Sequence, residues 1–369
     1  MHILMIPAWF QPESVGHHGI FVRDIARALA HCGHTVRIVS FAYGNKYLEV
    51  DDGNILEIFH PTAGSGLFSK LSYLKKTGPW LDEYCRRYGK PDIINTHGLS
   101  SIRLVSRWAH IHSLPIVHHE HLKALINPGL PFRIRWQARY FYQKVATIIA
   151  VSTIHADAIR KLTDTAVQRI PDVIDSAFFN IPLAKNLKTG LQLACISDLD
   201  PEKGYELLIE AVGLLVADNI DFTLHIVGDG PLRSMMERWS EEKGIRHRIN
   251  LHGRQNRAGV LSILEKCHIY CTATITESFG MHIAEALAAG LYVVTTDCGS
   301  VHDYISKTNG TIVPQRSAVL LADALQTAIT NYSVENVHAI RASIAEFASA
   351  EVVIPQIESV FRSVLRQRR

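Results

Sequence analysis

One stretch carries much of the information in this sequence: Thr276-Glu277-Ser278-Phe279-Gly280-Met281-His282-Ile283-Ala284-Glu285-Ala286-Leu287-Ala288-Ala289-Gly290. A β-prone run precedes it, and from Gly280 onward apolar residues recur at helical spacing, so we predict a strand, a loop and a helix that ends at Gly290. Ligands of open α/β sheets collect at the carboxyl ends of strands, close to helix N-termini. The pattern therefore predicts a ligand site with Glu277 in the loop and Glu285 on the helix. The alternative is a capping acid and an ordinary surface glutamate.

This stretch resembles the signature of the retaining glycosyltransferases of family 4, which have the GT-B fold. The signature is two glutamates separated by seven residues, with Phe-Gly after the first, and the matching residues here are Glu277, Phe279, Gly280 and Glu285. In that family the first glutamate binds hydroxyls of the donor sugar and the second binds the ribose of the nucleotide. The resemblance therefore implies that these four residues bind the donor.

Length and composition favour a soluble protein of two domains. The chain has 369 residues, of which 47% are hydrophobic and 20% charged, enough to bury a large core. No window approaches 18 uncharged apolar residues, and the first residues lack the pattern of a signal peptide, so we expect a cytoplasmic protein. The six cysteines are scattered as in a reduced protein, and Cys267 and Cys271, without a second cluster, make a weak metal pair.

The first half of the chain alternates strands and helices, which predicts a parallel, doubly wound sheet. Gly19, at the start of an amphipathic helix, matches the family's glycine-containing loop, although His18 replaces the usual second glycine. His121 follows a strand and matches a family histidine that hydrogen-bonds the donor sugar, with a packed surface histidine as the alternative. A metal site at His118 to His121 is disfavoured because successive side chains of a strand point to opposite faces.

The second half repeats the alternation and adds further family motifs. Lys203 matches a lysine that contacts the diphosphate in the family, and Gly228 belongs to a Gly-Asp-Gly turn after a strand. The family's arginine five residues before Lys203 is Asp198 here, which removes a charge-assisted hydrogen bond of about 1.5–3 kcal/mol unless a residue such as Arg254 compensates. Asp172 likewise replaces a family asparagine, and residues 171–190 are the expected linker.

The predicted fold is α/β of the GT-B type: two Rossmann-like, doubly wound domains that face a cleft. We expect an acceptor-binding domain at 1–175, a nucleotide-sugar-binding domain at 176–349, and a C-terminal helix at 350–369 that packs back on the first domain. Helices should fill residues 316–369.

The resemblance implies a hexosyl transfer with retention, from a nucleotide diphosphate sugar to a glycan or lipid-linked acceptor, as in bacterial cell-surface polysaccharide synthesis. Family enzymes need no metal, so we expect no metal, no other cofactor and no nucleic-acid partner. The alternatives are a non-hydrolysing sugar-nucleotide epimerase and, because of Asp198, an inactive donor-binding subunit. The predicted catalytic residues are His121, Lys203 and Glu277, and the other donor-binding residues are Gly19, Gly228, Arg254, Phe279, Gly280 and Glu285.

Residues 132–144 are rich in both basic and aromatic side chains. Up to residue 180 the chain has 20 Lys and Arg against 14 Asp and Glu, whereas the remainder has 18 against 21. Aromatic rings favour the membrane interface, and basic residues favour anionic lipid. We therefore expect a helix here that binds the inner face of the cell membrane peripherally. The alternative is a helix that only flanks the sheet or receives a soluble anionic acceptor.

Overall fold

The computed structural model of the protein describes residues 1–13, 19–41, 46–61, 67–127, 129–183 and 190–367, and residues 67–75 through their backbone only. The chain divides into two compact units. The first comprises Met1–Val173 and Ala350–Arg369, and the second comprises Ile174–Ser349.

The first unit is built on a sheet with the strand order β3-β4-β2-β1-β5-β6-β7-β8. All neighbouring strands are parallel except β3 and β4, which form an antiparallel pair at the edge. The sequence patterns predicted a strand at 55–59, which is β4, but not β3. The strands are β1 (His2–Pro7), β2 (Thr35–Ser40), β3 (Leu48–Asp51), β4 (Leu56–Phe59), β5 (Ile93–His97), β6 (Ile116–Glu120), β7 (Thr147–Ala150) and β8 (Val167–Arg169). The helices of this part of the chain are α1 (Ile20–His31), α2 (Leu67–Tyr88), α3 (Leu99–Ile111), α4 (Phe132–Tyr142) and α5 (Thr153–Arg160).

The second unit has a parallel sheet with the order β11-β10-β9-β12-β13-β14. Its strands are β9 (Leu191–Ile196), β10 (Phe222–Val227), β11 (Ile249–Leu251), β12 (Ile269–Thr272), β13 (Tyr292–Thr296) and β14 (Gly310–Val313). Its helices are α6 (Ser176–Phe179), α7 (Tyr205–Ala217), α8 (Arg233–Glu242), α9 (Arg257–Lys266), α10 (Met281–Ala288), α11 (Ala318–Thr330) and α12 (Val337–Ala348). The predicted α/β class with two doubly wound, parallel-sheet units is confirmed.

The last helix, α13 (Ala350–Arg366), belongs to the first unit. Its apolar face buries Val353, Ile357 and Phe361 in the same core as β1 and α1, because these residues recur at helical spacing. The helix is also tied to this unit by a hydrogen bond between Glu358 Oε1 and His34 Nε2 at 2.7 Å. The helices predicted over residues 316–369 are therefore present as α11, α12 and α13, with the last two residues outside the described part.

The expected linker at 171–190 is partly helical. Helix α6 lies within it, and Asp175 caps this helix by accepting a hydrogen bond from the Ala177 N–H at 2.7 Å. Residues 184–189 of the expected linker, Asn186 among them, are outside the described residues. In the described part of the chain, no helix has both the length and the hydropathy that a bilayer span requires.

Candidate active site

The loop that carries Glu277 runs from the end of β12 to the start of α10 and is anchored on both sides. The Glu277 N–H donates to the Cys298 carbonyl at 3.2 Å. The Phe279 side chain is buried, and its carbonyl accepts hydrogen bonds from Ser300 Oγ at 3.0 Å and from the Tyr304 hydroxyl at 2.8 Å. Phe279, predicted to bind the donor, thus places its side chain in the core, where it holds the loop.

Gly280 begins α10 in a left-handed conformation, with φ of 85°. Glycine adopts this conformation without the strain of a Cβ atom, so the loop can turn abruptly into the helix. Gly280 has no side chain, so the residue at the start of α10 does not cap the first N–H groups of the helix. Such a helix N-terminus suits an anion.

The Glu277 carboxylate is the centre of a charged cluster in the second unit. One oxygen, Oε1, accepts hydrogen bonds from Lys203 Nζ at 2.5 Å, His282 Nε2 at 3.0 Å and Thr274 Oγ1 at 3.1 Å. Burial opposes ionisation of this carboxyl, but the hydrogen bond from His282 and the charge of Lys203 hold its pKa well below the usual value. Glu277 is therefore a fixed anion across the physiological range.

Lys203 reaches Glu277 because of a glycine that follows it. A short 3-10 turn at Pro201–Lys203 leads into α7 through Gly204, whose φ is 66°. A Cβ atom at this position would collide with the carbonyl of Ala273. Glycine thus lets the turn pack against the end of β12, and the predicted pair of Lys203 and Glu277 comes together.

His282 is a member of this cluster that the sequence patterns did not single out. Its Nε2 donates to Glu277, and its Nδ1 lies 2.7 Å from the hydroxyl of the buried Tyr270. Burial, reinforced by Lys203, lowers the pKa of His282, so the ring is neutral, and the hydrogen on its Nε2 is the one that Glu277 accepts. The sequence did contain an indication of this contact. His282 falls in the first turn of the predicted helix, and side chains there lie back over the preceding loop, which carries Glu277.

His121, in the first unit, follows β6 and is positioned by its neighbour Glu120. The Glu120 carboxylate is fully buried and accepts hydrogen bonds from the N–H groups of His121 and Leu122, at 2.9 and 3.0 Å. It also accepts from His118 Nε2 at 3.1 Å and from the Tyr142 hydroxyl at 2.7 Å. Burial opposes ionisation, yet these donors, His118 foremost, lower the pKa of Glu120 to about 2. The backbone of His121 is thereby fixed.

The His121 ring is held by a chain of neutral side chains. His97 Nε2 donates to Asn95 Oδ1 at 3.0 Å, because both amide hydrogens of Asn95 are used by Val117 and His119. Burial holds the pKa of His97 well below its usual value, so His97 Nδ1 accepts from His121 Nε2 at 3.2 Å. The other nitrogen, His121 Nδ1, lies 3.6 Å from Asp172, too far for an ordinary hydrogen bond.

Two family models match this chain, one to each half. The model described as Glycosyltransferase Family 4 matches residues 18–178, and the model described as Glycosyl transferases group 1 matches residues 182–346. The chain is a glycosyltransferase of the GT-B type.

Curated relatives and solved structures agree with this family. The chain is 24% identical over 362 residues to a subunit of human phosphatidylinositol N-acetylglucosaminyltransferase, covering 91% of this chain and 71% of the relative. It is 26% identical over 332 residues to phosphatidyl-myo-inositol mannosyltransferase of Mycobacterium leprae, covering 87% and 84%. The crystal structure of Anabaena HepE in complex with UDP and glucose has the same fold, with a TM-score of 0.77, 18% identity and coverage of 98% and 100%.

The remaining predicted residues of this glycosyltransferase lie as follows. Gly228 has a φ of 146°, and a Cβ atom there would collide with the carbonyl of Ser197, so glycine permits the close approach of two loops. Arg254 lies 3.3 Å from Asp198, so its charge is directed at the acid that replaces the family arginine. Glu285 is half-buried on α10, three residues after His282 and so on a neighbouring part of the same face.

Gly19 begins α1 with a φ of 81°, packed against Phe10. Two residues later, the Phe21 ring contacts the His121 ring, with centroids 4.4 Å apart. His18, the substitution expected in this loop, is outside the described residues. In the first unit, the start of α1 after Gly19 thus contacts His121 through Phe21. In the second, Lys203 and Glu277 are bonded, and Glu285 lies on the helix that begins next to Glu277. Within the described residues, no group of three or more His, Cys, Asp or Glu side chains is arranged to hold a metal ion.

Proposed function

We propose that this glycosyltransferase moves a hexosyl group from a nucleoside diphosphate sugar to a glycan carried on a lipid, with retention at the anomeric carbon. The observation that carries the proposal is the asymmetry of the Glu277 carboxylate. Its Oε1 is occupied by Lys203, His282 and Thr274, whereas no side chain or backbone group of the described residues donates to Oε2. A fixed anion with one unused oxygen is suited to accept hydroxyl hydrogens of a sugar.

The leaving nucleoside diphosphate would be stabilised by two groups close to Glu277. The first turn of α10 offers N–H groups and the positive end of the helix dipole. Lys203 adds a positive charge that is already in position, so little reorganisation is needed when negative charge develops on the phosphate. Arg254 would offset the repulsion from Asp198, because the two side chains are 3.3 Å apart.

His121 would position the transferred sugar. Its Nε2 hydrogen is committed to His97, so only Nδ1, beside Asp172, remains for a ligand. The ring is 5% exposed and is held on both sides, which suits orientation of a substrate better than attack on it.

The comparisons support the two substrates. The Anabaena protein was crystallised with UDP and glucose, and the two curated relatives are named for sugar transfer to phosphatidylinositol or phosphatidyl-myo-inositol. We accordingly expect a nucleotide sugar donor and an acceptor anchored in a membrane, on the cytoplasmic side, as in cell-surface glycan assembly in bacteria.

The donor site is tested by calorimetry with UDP-glucose, UDP-N-acetylglucosamine and GDP-mannose. We expect one of them to bind, and Glu285→Gln to weaken that binding about tenfold, because the amide cannot accept two ribose hydroxyls as well as a carboxylate does. The matched control is Glu346→Gln, an exposed glutamate on α12 of the same unit.

Three results would contradict the proposal. If Glu285→Gln and the wild type bind the nucleotide sugar with equal affinity, Glu285 does not contact the ribose. Conversion of the donor sugar without release of nucleotide would support an epimerase. Donor binding without nucleotide release on any lipid-linked acceptor would support an inactive subunit.

The acceptor side of the proposal rests on the exposed face of α4. Phe132, Trp136 and Tyr140 repeat at intervals of four residues and are 81%, 57% and 48% exposed. The rings of Trp136 and Tyr140 stack with centroids 5.7 Å apart, and Lys144 Nζ lies 5.1 Å from the Tyr140 ring. An aromatic stripe of this kind is costly in water and favourable at a membrane interface.

Charge favours an anionic bilayer as the partner of this face. Residues 132–144 contain Arg133, Arg135, Arg139 and Lys144 and no acidic residue. Each basic residue near an anionic surface contributes about 1 kcal/mol, so four of them with the aromatic stripe would give reversible binding.

Co-sedimentation with phosphatidylserine–phosphatidylcholine vesicles at low and high salt tests this surface. We expect the wild type to bind at low salt, and a variant with these four basic residues changed to Gln to bind at least tenfold more weakly. A control variant carries four other exposed arginines of the first unit changed to Gln: Arg86, Arg103, Arg107 and Arg160. Equal loss in both variants, or no binding by the wild type, would refute a membrane role for α4.

A further inference from the structure

A cavity of about 290 Å³ lies in the first unit beside α2 and the end of β4. Its wall is mainly aromatic and includes Tyr47, His60, Trp80, Tyr84 and Tyr88. The volume is near the lower end of the range for small-molecule sites, so the cavity suits one ring of a ligand. None of these residues belongs to the site described above.

The aromatic residues present ring surface to the cavity. The ring of His60 stacks on that of Trp80, with centroids 4.5 Å apart and planes 18° from parallel. The tyrosine hydroxyls are used elsewhere: Tyr84 bonds His2 at 2.6 Å, and Tyr88 bonds Glu49 at 2.8 Å. These tyrosines therefore contribute ring carbon to the wall.

His60 is the polar exception within this wall. It is 7% exposed, and no group of the described residues bonds its ring nitrogens. Burial lowers the pKa of His60 to about 4, so near neutral pH the ring has one N–H donor and one nitrogen acceptor. The His60 nitrogens are not among the unbonded polar atoms sealed from solvent, and His60 lines the cavity, so a hydroxyl of a ligand could become their hydrogen-bond partner.

We propose that this cavity, the aromatic pocket, binds one sugar ring of the acceptor glycan. A pyranose has an apolar C–H face that packs on aromatic rings and hydroxyls that both donate and accept, as neutral His60 requires. Glu83 and Arg87 line the same pocket and are each about half exposed, so they can bond further hydroxyls. An alkyl chain would leave His60 unbonded. An anion is a poor fit because the positive charge of Arg87 is already paired with Glu49 at 2.7 Å.

The distance between the aromatic pocket and His121 indicates which sugar of the acceptor the pocket would hold. His60 follows β4 and His121 follows β6, and these parallel strands end at the same edge of the sheet. Three strands, β2, β1 and β5, separate them, which corresponds to roughly 19 Å. If His121 is at the transfer site, as in the proposed function on which this step rests, the pocket holds a sugar several units away from the reacting one. The acceptor is then an oligosaccharide.

Saturation-transfer NMR on the full chain tests the pocket, with the methyl glycosides of glucose, galactose, mannose and N-acetylglucosamine as probes. We expect one or more to bind in the millimolar range. His60→Phe keeps the aromatic stack and should weaken that binding about fivefold. Trp80→Ala should abolish it, and Trp80→Phe replaces that variant if it does not fold. The control is Ile111→Ala, which removes an exposed apolar side chain of the same unit and should leave sugar binding unchanged.

Nucleotide-sugar binding is measured on each variant and should not change. If no glycoside binds at tens of millimolar, or if His60→Phe and Trp80→Ala bind like the wild type, the aromatic pocket is not a sugar site, while intact nucleotide binding leaves the proposed function standing. Binding of octanoate in place of the glycosides would overturn the proposal in favour of an apolar chain. Glycoside binding that depends on Trp80, without nucleotide-sugar binding, would confirm a sugar pocket and refute the proposed function.

Discussion

The cluster around Glu277 in the second unit and the cluster around His121 in the first both bury polar side chains, but they do so by opposite means. Glu277 keeps its charge because Lys203 and His282 bond the same oxygen. The ring next to His121, His97, is neutral because burial lowers its pKa, and it is linked to its neighbours by matched donors and acceptors.

This difference indicates what each region can bind. A site with an ammonium, a carboxylate and a helix N-terminus is electrostatically prepared for a diphosphate and for sugar hydroxyls. A site of neutral imidazoles can orient a polar, uncharged group, but it would be disrupted if its histidines were protonated. The two clusters should therefore respond differently to acid and to mutation.

The largest expected effect is the acid sensitivity of the buried histidines. His155, on α5, is fully buried, and burial lowers its pKa to about 4 against the partial opposition of Glu120 and Asp172. Between pH 6.5 and 4, His155 therefore carries a proton in the unfolded chain but not in the folded chain. Folding stability is complete above pH 6.5 and falls as the pH drops toward 4. Protonation of this one histidine should lower the free energy of unfolding of the wild type by about 3 kcal/mol between pH 6.5 and 4. We expect His155→Phe to abolish that decrease.

Urea unfolding at a series of pH values measures this slope. The control is His110→Gln, which changes an exposed histidine of the same unit and should leave the slope as in the wild type. The contrary result is a free energy of unfolding that depends on pH between 6.5 and 4 in the same way with and without His155. The region around His121 would then accept a buried positive charge, and it would not differ from the Glu277 cluster in this respect.

The smaller effect is the coupling between Lys203 and Glu277. Their side chains are 17% and 13% exposed, so either partner left alone would keep a poorly solvated charge. In a double-mutant cycle with Lys203→Met and Glu277→Gln, we expect a coupling of about 2 kcal/mol at pH 7.

The comparison pair for this cycle is Arg248 and Asp221, an ion pair of the same unit in which Asp221 is 75% exposed. Its coupling should be below about 1 kcal/mol, because solvent screens an exposed pair. Equal coupling in the two pairs would show that Glu277 is solvated like a surface acid, and it would weaken its assignment to the donor sugar.

Periodicity and glycine positions along the chain determined the fold class and the elements around Glu277. The apolar spacing after Gly280 and the stop at Gly290 match α10, because helical periodicity and left-handed glycines are local properties of the chain. The short antiparallel edge strand β3 escaped prediction, since its pairing with β4 depends on the rest of the sheet and its own residues are mostly exposed.

Side-chain partnerships were decided only by the tertiary structure. Lys203 and Glu277 are 74 residues apart, and the bond between them exists because Gly204 lets one turn pack on the end of another strand. His282 joins them by pointing back over the loop, and Tyr142, at the end of α4, reaches Glu120 at the end of β6. A sequence specifies such contacts through the packing of whole elements. The local pattern therefore names the residues that can do the chemistry, while the folded chain determines which of them meet, at what distance and in which charge state.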